Sequence, residues 1–211
     1  MSINIKCLNP GGYSANCYIL TDEATGQTAI LDPGGFDAEL EDILKNADVK
    51  YICLTHRHYD HVLGAAAAKK LTGAKVAIHS QDACGIHNSA DCLASHAPYA
   101  EFTPLNEDVA LEDGDLLKLG DTTISVMHTP GHTAGGVCYI ADDVIFSGDT
   151  IFKDSIGRLD LPSGSADDMA QSLKRINHLE GGFTILPGHG PATTLQHERQ
   201  SNPHMASLRN K

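Results

Sequence analysis

Thr55-His56-Arg57-His58-Tyr59-Asp60-His61 is the stretch on which the reading of this chain turns. It places four side chains able to hold a metal, His56, His58, Asp60 and His61, within six residues. The apolar run Tyr51–Leu54 leads into it, and a small-residue helical pattern, Val62–Leu71, follows. A strand is therefore expected to deliver these groups onto a loop, with a helix starting behind them. Alternate side chains of an extended segment share a face, so His56 and His58 can grip one ion. Asp60 and His61 lie past the bend and can face a second. Imidazole with carboxylate suits a borderline cation such as zinc, whereas hard ions favour oxygen. A His-x-His pair alone is weak evidence, because such pairs also occur as ordinary surface or core histidines.

Three downstream elements strengthen it. His132 lies in T-P-G-H-T (Thr129–Thr133), Asp149 in S-G-D-T (Ser147–Thr150) and His189 in P-G-H-G (Pro187–Gly190). Each follows a β-like apolar run: Ile124–Met127, Val144–Phe146 and Phe183–Leu186. Each is bracketed by glycine, which lets a chain turn sharply at a strand end. Single ligands on successive strand-end loops are what a site assembled from distant sequence needs.

Composition bounds the class. The chain has 211 residues, enough for one substantial domain. A formal net charge of −12, with 15 basic residues in no dense run, argues against a nucleic-acid partner. The six cysteines form no C-x-x-C, and most lie in apolar runs, where free cysteine acts as a small hydrophobe. Cys84 and Cys92 lie in a polar, loop-rich stretch and are the more reactive candidates. No signal peptide and no apolar run near the roughly 20 residues of a membrane span is visible. The expectation is a cytoplasmic protein, monomer or homodimer, with no membrane partner.

Strand-like runs are Asn4–Leu8, Asn16–Thr21, Thr28–Asp32, Tyr51–Thr55, Lys75–His79, Leu116–Leu119, Thr122–His128, Gly136–Ala141, Val144–Ser147 and Phe183–Leu186. Helical patterns are Asp37–Asn46, Val62–Leu71, Ser80–His87 and Ser165–His178. In the last, Met169, Leu173 and Ile176 make one apolar face, and Ser165 with Asp168 suits a helix start. The segment 86–106 reads as an irregular loop beside the site. This order of elements suggests an α+β fold, with two sheets face to face and helices outside.

The ordered set T-H-x-H-x-D-H, G-H-T, G-D-T, G-H-G, spanning residues 55–190, resembles the metallo-β-lactamase superfamily. L-D-P-G (Leu31–Gly34) and N-C-Y-I-L (Asn16–Leu20) resemble its amino-terminal strands. Within it the chain is most similar to the glyoxalase II group, the hydroxyacylglutathione hydrolases and their short relatives. G-R-L-D-L-P-S-G (Gly157–Gly164) is similar to a segment those hydrolases share with persulfide dioxygenases. The resemblance implies one domain over residues 1–211, folded as a four-layer αββα sandwich. It implies two divalent metals, zinc first, with iron or manganese as alternatives. His56, His58 and His132 would hold the first, Asp60, His61 and His189 the second, and Asp149 would bridge them. Asp60 and Asp149 would be the catalytic carboxylates.

The physics agrees with that division. Two cations about 3.5–4 Å apart repel, and a shared carboxylate reduces the repulsion. Zinc lowers the pKa of bound water from about 15.7 to about 7, giving a nucleophilic hydroxide without Ser or Cys. A thiolate, from a thiol of pKa about 8.5, leaves with little protonation, so thioester hydrolysis is easier than amide hydrolysis. The expected substrate is a small thioester of the S-D-lactoylglutathione type. The alternative is a mononuclear iron persulfide dioxygenase, using His56, His132 and Asp149. Arg158 and Tyr59 are candidate substrate contacts, although Arg158 with Asp160 also reads as a surface ion pair. Asp32 reads as a hydrogen-bonding support for the metal loop. Full-length glyoxalase II enzymes carry a carboxy-terminal helical domain that helps hold glutathione. Here about twenty residues follow His189, room for one short polar helix, which leaves glutathione as the thiol unassigned.

Overall fold

The computed structural model describes residues 2–97 and 101–206. Two six-stranded sheets form its centre. The first runs, in spatial order, β1 (Ile3–Leu8), β2 (Cys17–Asp22), β3 (Gln27–Leu31), β4 (Asp48–Cys53), β5 (Lys75–His79) and β6 (Val109–Leu111). β1 to β3 pair antiparallel, and β3 to β6 parallel. The second sheet contains β7 (Leu116–Leu119), β8 (Thr122–His128), β9 (Val137–Ala141) and β10 (Val144–Gly148). A two-stranded hairpin, β11 (Ile151–Phe152) and β12 (Ser155–Ile156), follows. β13 (Thr184–Pro187) then pairs parallel to β10, and β14 (Thr193–Thr194) closes that edge.

Alternation along the strands builds the layers. In β2, Cys17 and Ile19 face the outer core of the first sheet, while Tyr18 and Leu20 face the space between the sheets. In β9, Val137, Tyr139 and Ala141 point into that same space, and Cys138 and Ile140 point outward. Helices α1 (Ala38–Lys45) and α3 (Ala65–Thr72) cover the first sheet through Leu40, Leu44, Ala65 and Ala68. Helices α5 (Ala166–Asn177), α6 (Leu195–Ser201) and α7 (Pro203–Ala206) cover the second through Met169, Leu173, Ile176, Leu195 and Met205. The expected αββα sandwich is the observed one.

The helix start expected at Ser165 is capped: its side chain accepts from the backbone N–H of Asp168 at 3.2 Å. Asp37 caps α1 in the same way, accepting from Leu40 N at 3.0 Å. The expected helix Val62–Leu71 is instead two, the short α2 (Tyr59–Val62) and α3, broken at Leu63–Gly64. Gly64 sits against the backbone of Pro33 and Gly35, where a Cβ would collide, and its N–H donates to Pro33 O at 2.8 Å. The expected helix Ser80–His87 is a 3-10 turn over Ser80–Asp82 followed by α4 (Cys84–His87). β6, the β11–β12 hairpin and β14 were not expected; strands of two or three residues carry too little alternation to read. Cys92, expected to be reactive, is fully buried in the outer core, and burial raises its thiol pKa. Among the described residues no helix is long and apolar enough to cross a membrane.

Candidate metal centre

The seven side chains come together at one end of the sandwich, each beyond a strand end: five from loops, and Asp60 and His61 from the short α2, which starts earlier than the sequence implied. β4 delivers His56, His58, Asp60 and His61, β8 leads to His132, β10 to Asp149 and β13 to His189. Ligand atoms of His56, His58 and His132 lie within 4.8 Å of one another. The same holds for Asp60, His61 and His189, and for His56, His61 and Asp149. Asp149 lies between the groups: its Oδ2 is 3.5 Å from His132 Nε2 and 3.6 Å from His189 Nε2, and its Oδ1 is 3.5 Å from His61 Nε2. Gly148, at φ 48°, turns the chain so that Asp149 faces inward. A Cβ at Gly188 would meet Asp149 Oδ1 and His61 Cε1, so only glycine leaves that space open.

The far nitrogens of four imidazoles are tied down, which fixes the near nitrogen as the donor to a cation. Thr55 donates its hydroxyl to Asp32 at 2.6 Å, so its oxygen accepts from His56 Nδ1 at 3.1 Å. His61 Nδ1 donates to Asp32 at 2.9 Å, His132 Nδ1 to Arg158 O at 2.7 Å and His189 Nδ1 to Ser14 O at 3.0 Å. Asp32 thus braces two of the clustered histidines at once, the hydrogen-bonding support that its sequence position suggested. His58 turns the other way, with Nδ1 2.9 Å from His132 Nε2.

Two orphaned atoms test whether a cation fits. His56 Nε2 and Asp149 Oδ1 are buried and have no hydrogen-bond partner. A buried acceptor without a donor is costly, and a cation between these groups would satisfy both. Electrostatics point the same way. Burial, reinforced by neighbouring histidines, holds His56 well below the usual histidine range and His58 down at about 3, leaving neutral lone pairs. Burial acts against His61 too, yet Asp149, Asp32 and Asp60 outweigh it and push it up to about 10. His189 is raised as well; burial opposes the shift, and the hydrogen bond to Asp60 and the Asp149 charge overcome it. Asp60 is held at about 2: burial works against this, and His189 and His61 prevail. The donor set therefore fits divalent cations, which would displace the protons on His61 and His189. Metal uptake at pH 7 is accordingly expected to release protons, and apparent affinity to rise as pH increases towards 10. Calorimetry in buffers of different ionisation enthalpy measures that release; uptake with no proton exchange would contradict the assignment.

A second sphere escaped the sequence reading. Asp82 is fully buried and accepts from Arg57 N at 3.1 Å, Thr133 Oγ1 at 2.6 Å and Gly135 N at 3.0 Å. It staples the His56–His58 loop to the His132 loop. Asn16 does the same for the His189 loop, donating to Pro187 O and Gly190 O, each at 2.9 Å. An isolated aspartate in S-Q-D-A carries no marker, so only the fold reveals Asp82.

A cavity of about 460 Å³ opens over the cluster, lined in part by His58, Asp60, His132, Asp149 and His189. Tyr59 and Arg158, the expected substrate contacts, both line it. Tyr59 packs edge-on against Tyr13, with centroids 5.8 Å apart, and stacks with His96, which the sequence left without context. The Arg158 guanidinium is held by Asp160 through two 2.7 Å bonds, so the expected surface pair exists. His79 and His128 stack on each other, with centroids 4.0 Å apart.

Residues 10–192 match the family model described as the metallo-beta-lactamase superfamily. The hydroxyacylglutathione hydrolase GloC of Haemophilus influenzae is 31% identical, over 97% of this chain and 99% of its own. The crystal structure of the BLEG-1 B3 metallo-beta-lactamase superposes with a TM-score of 0.87 at 31% identity, covering 96% of this chain and 99% of that one. TTHA1623, in a di-iron-bound form, gives 0.83 at 31% identity, over 94% and 98%. ETHE1 from Myxococcus xanthus gives 0.78 at 25% identity, over 97% and 85%. On the family match, the shared sandwich and the convergent histidine–aspartate cluster, this chain belongs to the metallo-beta-lactamase superfamily.

Proposed function

We propose that the protein is a dinuclear metallo-hydrolase that cleaves a small thioester, in the manner of the glyoxalase II group. The observation that carries this reading is the division of seven side chains into two adjoining sets of three, with Asp149 between them. His56, His58 and His132 would hold one ion, and Asp60, His61 and His189 the other. When bound, such a pair supplies Lewis acidity, bringing the pKa of water down towards about 7 and polarising a carbonyl. Asp60 and Asp149 carry the negative charge that this pair requires, and Asp60 is positioned to accept a proton from water. The thiolate of a cleaved thioester leaves unprotonated near neutral pH, so no separate acid is demanded of the chain. The hydrolase relative GloC supports the same reading by sequence.

Arg158 and Tyr59, at the mouth of the cavity, position the substrate. Arg158→Ala is expected to retain the metals and raise KM about threefold to tenfold, the scale of a solvent-screened charged contact. Steady-state kinetics beside metal analysis separates that from metal loss.

The reading is tested by metal analysis of protein from unsupplemented cells, paired with a thioester hydrolysis assay. Two zinc ions per chain with thiol release are expected. One iron per chain, with oxygen consumption on a persulfide, would replace it with a dioxygenase.

A further inference from the structure

Four half-buried apolar side chains, Leu93, Phe152, Ile156 and Leu161, also line the cavity above the candidate metal cluster. They come from three separate segments: the 3-10 turn region before β6, the β11–β12 hairpin and the loop leading to α5. We propose, taking the thioester reading of this site as premise, that this wall selects a substrate whose acyl part is an apolar chain.

Two of the three segments are tied in place. Leu93 adopts φ 62° and ψ 32°, a left-handed conformation uncommon for a residue with a side chain. Such backbone strain persists where surrounding contacts impose it, and ligand clamps are one place it collects. Here Leu93 N donates to Ala90 O at 3.2 Å, and His96 N donates to Leu93 O at 3.0 Å. The hairpin is pinned from behind by fully buried Glu198 of α6, which accepts from Asp154 N at 2.9 Å. Asn202 adds a second tie, donating to Ser155 O at 3.0 Å. These two parts of the wall are therefore preformed, and binding need not order them.

Charge selects against the alternative occupant. Arg158 is the one Lys or Arg among the described lining residues, and the Nε–Nη2 edge of its guanidinium, the edge that would grip a carboxylate side-on, is engaged by Asp160. A carboxylate on the substrate would find that edge already neutralised by Asp160, with the negative charges of Asp60 and Asp149 deeper in the same cavity. An alkyl chain meets no such competition, and it covers apolar surface that otherwise faces water. In the reaction the C–S bond breaks and a C–O bond forms to water. The sulfur leaves as thiolate and takes up one of water's protons in solution, and the acid departs as carboxylate, releasing the other.

The test is an acyl series on one neutral thiol: acetyl, propionyl and butyryl thioesters of N-acetylcysteamine, with the full chain carrying its own metals. The expected kcat/KM rises about threefold to fourfold per methylene, the value of a methylene removed from water, and so about tenfold over the series. Leu93→Ser and Ile156→Ser are each expected to flatten the gradient to under about twofold per methylene, with metal content unchanged. A flat or falling series with thioester hydrolysis intact overturns the acyl selection alone. A lactoyl thioester of N-acetylcysteamine turned over more efficiently than the butyryl one also overturns it. Failure to cleave any thioester sinks the hydrolase premise and this inference with it.

Discussion

Asp149→Ala should abolish activity, lowering kcat/KM by more than about 10³-fold, and should empty both metal positions. The scale follows from position. Loss of a partner that merely orients a ligand costs about 10–100-fold in metal affinity or activity, and Asp149 stands closer than that. Its two oxygens face His132, His189 and His61, and Oδ1 is buried with no hydrogen bond. Alanine removes the charge that offsets two adjoining cations, so neither set of three can be filled without added repulsion. The fold should survive, because Asp149 makes no side-chain hydrogen bond that holds loops together among the described residues. Metal analysis and circular dichroism on the same sample decide the matter. Two metals retained per chain would refute the bridging role, and global unfolding would make the variant uninformative about it; Asp149→Asn, which keeps the shape, then supplies the comparison.

The sequence made much of this centre legible because its chemistry is written locally. His56, His58, Asp60 and His61 share one loop, and His132, Asp149 and His189 each sit beside glycine after an apolar run. Strand alternation likewise exposed the long strands, since β2 and β9 present different cores to each face. The parts that stayed hidden depend on contacts between distant segments. Gly64 breaks the expected helix only because Pro33 and Gly35 pack against it. Two of the groups that fix imidazole orientation, Ser14 O and Arg158 O, are backbone atoms, which no side-chain pattern can announce. The tail was read as room for one short polar helix. It forms α6 and α7, which bury Leu195, Glu198 and Met205 and brace the pocket hairpin. The cavity wall itself comes from single apolar residues in irregular segments, where periodicity is silent.

Asp82→Ala should be the most destabilising substitution near the site, costing about 3–5 kcal/mol, because it strips a buried carboxylate from the donors gathered around it. The Thr133 hydroxyl and the N–H groups of Arg57 and Gly135 would lose their acceptor, and Arg57 Nε, 3.9 Å away, its nearest opposite charge. For a chain of this size the melting temperature should fall by about 6–20 °C. Asp160→Ala, which breaks an exposed pair with Arg158, should cost no more than about 1 kcal/mol. The more specific consequence is asymmetric. Asp82 joins the His56–His58 loop to the His132 loop and is the one tie on His132's loop among these, whereas His61 keeps Asp32 and the His189 loop keeps Ser14 and Asn16. At a temperature where the variant stays folded, metal content should therefore fall from two per chain towards one, with the Asp60–His61–His189 position retained. Thermal unfolding and metal stoichiometry measure the two effects separately. A stability loss under about 1 kcal/mol, or equal loss from both positions, would show that the staple does not act on one half of the centre.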